Sequence, residues 1–124
     1  MEQKYIIGDI VMYNGKIMVI KEPRDGSHFD LSCHKEGLVY CFVSVEDMKP
    51  VPFTKEILKK NGWKNDKGDY INDSYHLHLC GNYDGYSVYK VENDYNVVWL
   101  TGVRNVSDLQ HLFFGLGLNH EMEV

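Results

Sequence analysis

The chain has few prolines, few cysteines and no cluster of positive charge. Only three prolines, Pro23, Pro50 and Pro52, interrupt its 124 residues, so most of the backbone is open to regular hydrogen bonding. Three cysteines, Cys33, Cys41 and Cys80, are too few and too odd in number for a disulfide framework, and no Cys-x-x-Cys pair signals a zinc cluster. No apolar run approaches a membrane span, and the opening residues MEQKYIIGD lack the basic-then-apolar layout of a signal peptide. The expectation is a cytoplasmic protein with reduced thiols and no membrane partner.

Positive charge is also scarce. Thirteen basic residues face eighteen acidic ones, a net −5, spread as −2 over 1–53 (6 basic, 8 acidic) and −3 over 54–124 (7 basic, 10 acidic). Nucleic-acid binding draws on clustered Lys and Arg against phosphates. The densest basic stretch, Lys59-Lys60 with Lys64 and Lys67, reads as a solvated helix face, so no nucleic-acid partner is expected. His-Glu-x-x-His is missing, and Gly115-Leu116-Gly117 closes a helix instead of opening one, so no phosphate loop and no cofactor are expected.

What is present is apolar and aromatic: 44% apolar residues and nine tyrosines, enough for one modest core. Residues 1–53 read as β. Strands over 10–13 and 16–20 flank Asn14-Gly15, which accept the positive φ angles of a two-residue hairpin turn. A second hairpin joins 28–34 to 38–45, and a short turn over 45–48 precedes Pro50. On its last strand Val39, Cys41, Val43 and Val45 alternate, which predicts one core-facing row with an inert Cys41. This pattern predicts a small SH3-like β-barrel.

Residues 54–124 read as α-β-β-β-α with an antiparallel sheet, giving an α+β fold whose two parts pack as one unit. Thr54 caps a helix that Asn61-Gly62 stops; after a polar turn over 66–69, strands follow over 70–79, with Asp73-Ser74 a candidate break, and over 86–91 and 96–101. Ser107 caps a last helix, with Leu109, Leu112, Phe113 and Leu116 as its buried stripe. That order is the one found in double-stranded-RNA-binding domains. Their lysines at the start of the second helix are replaced by Ser107, Asp108, Gln110 and His111, so the topology does not bring the function.

Two constellations are candidates for function. Alternation on one strand would set His76, His78 and Cys80 on one face, a metal-binding trio that His111 or Cys33 could complete, or a thiol–imidazole pair of Cys80 and His78. The competing interpretation is an ordinary strand with Leu77 and Leu79 in the core. Tyr83, Tyr86, Tyr89 and Tyr95 surround turns rich in Asn, Asp and Gly, the mixture that recognition loops use; the competing interpretation is cross-strand packing.

One stretch carries a resemblance. Pro52-Phe53-Thr54, then Glu56-Ile57-Leu58, then Lys60-Asn61-Gly62-Trp63 is similar to a pattern in a group of small uncharacterised proteins of phages and mobile elements of gut anaerobes. A second similar segment is 103–112, Val-Arg-Asn-Val-Ser-Asp-Leu-Gln-His-Leu. The resemblance covers 50–124, implies an accessory role, and carries over no catalytic residues. The sequence thus points to a non-enzymatic binding protein with a protein partner. The alternative is a metal-dependent or thiol enzyme centred on His76, His78 and Cys80.

Overall fold

The computed structural model describes residues 5–33, 36–82, 85–93 and 96–123. Its first sheet comprises β1 (Ile10–Tyr13), β2 (Lys16–Asp25), β3 (His28–Cys33), β4 (Leu38–Ser44) and β5 (Lys49–Pro50), ordered β4-β3-β2-β1-β5 and antiparallel throughout. A 3₁₀ turn, Val45–Asp47, separates β4 from β5. Asn14 (φ 53°) and Gly15 (φ 74°) make the expected left-handed turn between β1 and β2. Among the described residues no ladder joins β4 to β5, so the sheet is not a closed barrel.

The second part contains α1 (Lys55–Lys60), β6 (Lys64–Asp66), β7 (Asp69–Asn72), β8 (Leu77–Asn82), β9 (Gly85–Asn93), β10 (Asn96–Val103) and α2 (Val106–Gly115). Its sheet is an antiparallel meander ordered β10-β9-β8-β7-β6. Five strands therefore replace the three expected, and the match to the RNA-binding topology is lost. The missed hairpin turns on Lys67 (φ 54°) and Gly68 (φ 95°), with Asn65 Oδ1 accepting from the Gly68 amide at 3.2 Å. The polar turn expected over 66–69 is this one; the short strand before it, Lys64–Asp66, escaped because its three residues are polar and exposed. The expected strand over 70–79 is broken by a turn at 73–76, at the candidate break Asp73-Ser74.

Both helices start at side-chain caps. Thr54 Oγ1 accepts from the Ile57 amide at 3.1 Å, as expected. The second cap is Asn105, not Ser107: Asn105 Oδ1 accepts from the Asp108 amide at 3.0 Å, while Ser107 is buried inside the first turn. Leu109 and Phe113 enter the core, but the expected fourth member of the stripe, Leu116, is exposed because the helix ends at Gly115.

Among the described residues, three apolar clusters hold the molecule together. One lies within the first sheet (Val11, Met18, Ile20, Leu31), and one lies between the second sheet and the helices (Leu58, Leu77, Leu79, Val88, Leu109). The third, Ile10, Val51, Ile57 and Val106, joins the two parts. Full burial of each such Leu or Ile contributes about 2 kcal/mol. Gln110, fully buried, ties the same junction: its Oε1 accepts from the Ile10 amide at 2.8 Å and its Nε2 donates to Gly8 O at 2.8 Å and His120 O at 3.0 Å.

The expected valine row does not form. In β4 a bulge sets Cys41 and Phe42 opposite the single residue Asp30, and Phe42 adopts φ 55°. Alternation resets there, so Val43 is buried while Val39 is 64% exposed and Cys41 is exposed as well. A bulky side chain in the left-handed region costs roughly 1–2 kcal/mol. The bulge is clamped by Asp30: Oδ1 accepts from the Phe42 amide at 3.1 Å, and Oδ2 accepts from Arg24 Nε at 2.8 Å and from Arg24 Nη2. The Arg24 guanidinium also lies 5.4 Å from the Phe42 ring centroid. Arg24 holds the Asp30 carboxyl below the usual carboxylate range.

Candidate interaction surface

The second sheet buries one face and shows the other. Tyr70, Leu77, Leu79 and Val88 point inward beneath Trp63, Leu109 and Phe113. On the opposite face the registers align one side chain from each strand: Lys64 pairs with Ile71, Ile71 with His78, His78 with Tyr89, and Tyr89 with Trp99. Directly opposed residues sit about 5 Å apart, so this is one continuous row across five strands. It ends in Trp99, 59% exposed, with Val97 on the same face at 56%.

The row reaches the sheet's edge. β10 has β9 on one side, and no strand pairs with its other side among the described residues. Its eight residues, NVVWLTGV, contain no charge and no proline, the residues that ordinarily guard an edge against another strand. A bulge at Leu100, between the Trp99–Tyr89 and Thr101–Val88 pairs, turns Leu100 towards the core and leaves Trp99 outside. Gly85 keeps the start of β9 close to the end of β10: at φ 144°, a Cβ there would stand 2.3 Å from Val103 O.

The predicted tyrosine surface is divided. Tyr83 and Tyr95 lie outside the described residues. Tyr86 and Tyr89, three apart on β9, face opposite sides. Tyr86 is half-buried, edge-on to Phe53 at 5.5 Å and to Tyr70 at 6.1 Å, and burial pushes its phenol up. Tyr89, half-buried, belongs to the outward-facing row that ends in Trp99. Trp99 was not marked by the sequence, because an almost wholly apolar strand does not reveal which side faces water.

The predicted metal-binding trio does not assemble. His76 lies in the turn before β8 with φ 55°, so the alternation that would align it with His78 and Cys80 is absent. His78 and Cys80 do share the outer face, about 7 Å apart along the strand. Burial and the neighbouring Asp69 carboxylate push the Cys80 thiol up, away from the thiolate a nucleophile or metal ligand needs. Among the described residues no three His, Cys, Asp or Glu side chains gather as a metal site, and the two further ligands considered, Cys33 and His111, have other surroundings. Cys33 is buried in the first sheet's cluster, and His111 Nε2 is hydrogen-bonded to Asp9 Oδ2. No described helix is long and apolar enough to cross a membrane.

No protein-family model matches the chain, and neither does any curated protein or solved structure.

Proposed function

We propose that this chain is a non-enzymatic protein-binding module that receives an extended partner segment along β10. One observation carries the proposal: a registered row, His78–Tyr89–Trp99, runs out to an uncharged edge strand and ends in an exposed tryptophan. An added strand would take its backbone hydrogen bonds from β10 and set alternate apolar side chains on Trp99 and Val97. Trp and Tyr supply contact area at small entropic cost, which makes them frequent anchors of binding energy.

The first sheet supports the SH3-like reading of 1–53 through its order β4-β3-β2-β1-β5 and the 3₁₀ turn before its last strand. The segment similar to phage and mobile-element proteins, Pro52 to Trp63, supplies the Thr54 cap and the buried Ile57, Leu58 and Trp63. An accessory protein of such an element, acting by contact and possessing no chemistry of its own, fits both features. The test is affinity capture from the source cells, with hydrogen exchange on the recovered complex. Slowed exchange at the β10 amides supports strand addition; unchanged exchange there rejects it.

A further inference from the structure

A second surface, independent of β10, lies on the first sheet beneath the segment that follows α2. Residues 118–123 run back across the molecule and are held at both ends. At one end Gln110 Nε2 donates to His120 O at 3.0 Å, and His120 Nε2 donates to Ile7 O at 2.8 Å. At the other, Asn61 forms a reciprocal pair with Glu123: Nδ2 donates to Glu123 O at 2.8 Å, and Oδ1 accepts from the Glu123 amide at 2.9 Å. Between them Met122, like Ile17 and Val19, packs against the Ile10–Val51–Ile57–Val106 cluster, and it also reaches the second sheet's cluster.

Met122 and Val19 line two cavities. The larger, about 690 Å³, is also lined by Ile17, Lys16, Lys60 and Glu123. The smaller, about 240 Å³, is also lined by Lys21 and Glu121. An apolar floor thus carries Lys16, Lys60, Lys21 and one carboxylate of its own, Glu36, around its rim, and the residues laid over it read Glu121-Met122-Glu123. Lys16 is paired with Glu36, whereas Lys60 and Lys21 stand exposed. The larger cavity is open space beside Met122, lined also by Ile17 and Val19.

We propose that this floor is a docking groove for an extended acidic segment of another protein, one apolar side chain between two carboxylates, and that residues 118–123 are its resident competitor. The charge pattern favours this occupant over a basic or nucleic-acid one. Displacing the resident segment breaks the Asn61–Glu123 pair, so binding and release of 118–123 are linked.

The probe is a fluorescein-labelled hexapeptide, Leu-Asn-His-Glu-Met-Glu, titrated into the full chain. Met122→Ser should bind it at least tenfold more tightly than wild type, because the competitor is weakened, and Lys60→Glu in that background should lower the affinity at least fivefold. A peptide with both glutamates changed to lysine should not bind. In wild type, which needs no variant to fold, excess peptide should speed exchange of the Glu123 amide. Equal binding by wild type and Met122→Ser, equal binding of the lysine peptide, or an unaltered Glu123 amide at saturating peptide overturns the proposal. So does a doubled mass of the free wild type that is lost on adding peptide, since the groove would then hold a second copy's segment.

Discussion

Asp9 and His111, 102 residues apart in the chain, are hydrogen-bonded to each other through Asp9 Oδ2 and His111 Nε2 where the first sheet meets α2. Asp9 is fully buried, Oδ2 also accepts from the Ile6 amide at 3.0 Å, and Oδ1 has no hydrogen-bond partner among the described residues. Burial pushes the Asp9 carboxyl up; the Ile6 and His111 hydrogen bonds and the charges of His111 and His120 oppose it without reversing it.

A raised folded value means that the native state binds the Asp9 proton more tightly than the unfolded chain does. Ionised Asp9 therefore weakens the fold above its folded value, and that penalty is relieved as pH falls through this value towards the unfolded 3.8. Compared with Asp9→Asn, wild type should gain stability as pH is lowered from 7 to 4, read by urea unfolding at each pH. A constant gap between the two proteins contradicts this. Asp25 acts oppositely: the Ser27 amide and His28 hold it at about 2, so its contribution is present above 3.8 and lost between 3.8 and about 2.

The bulge clamp predicts a coupling. Asp30→Ala leaves the Phe42 amide and the Arg24 guanidinium without their acceptor and should cost about 2 kcal/mol. Glycine adopts φ 55° freely, so in a Phe42→Gly background the same change should cost visibly less. A double-mutant cycle by chemical denaturation measures the difference; additivity contradicts the account of a strained, clamped bulge.

Gln110 makes three hydrogen bonds from a fully buried side chain. Gln110→Leu keeps much of the volume but strands the Ile10 amide and two carbonyls, and should destabilise by about 2–4 kcal/mol. A loss below about 0.5 kcal/mol in urea unfolding would mean that the junction is held by the Ile10–Val51–Ile57–Val106 cluster alone.

Local chemistry made much of this fold readable. Asn14-Gly15, the Thr54 cap and Asn61-Gly62 act over four residues or fewer, and the structure places each as expected. What escaped depends on partners distant in sequence or on residues in unfavoured backbone regions. His76 and Phe42 are non-glycine residues at positive φ, which no composition announces, and β6, all polar, carries no apolar alternation. A single such residue in β4 moved Val39 and Cys41 out of the core. The candidate surface was half legible: Tyr89 stood out, but Trp99 joins it only through a register that pairing across β8, β9 and β10 establishes.

The two tyrosines of β9 should separate stability from binding. Tyr86→Ser removes edge-on contacts to Phe53 and Tyr70 and should cost about 2 kcal/mol. Tyr89→Ser loses only cross-strand contacts on the open face and should cost under about 1 kcal/mol. Thermal melts of the two variants decide it; equal losses would contradict the assignment of opposite faces.

The most direct measurement is partner capture from source cells with wild type and Trp99→Ser side by side, after melts show the two folded alike. The substitution touches an exposed side chain, so its melting temperature should stay within a few degrees of wild type. The account predicts that proteins retained by wild type are lost with Trp99→Ser and that their binding protects the β10 amides. Undiminished capture by Trp99→Ser, with β10 exchanging as fast in the complex as in the free chain, contradicts it.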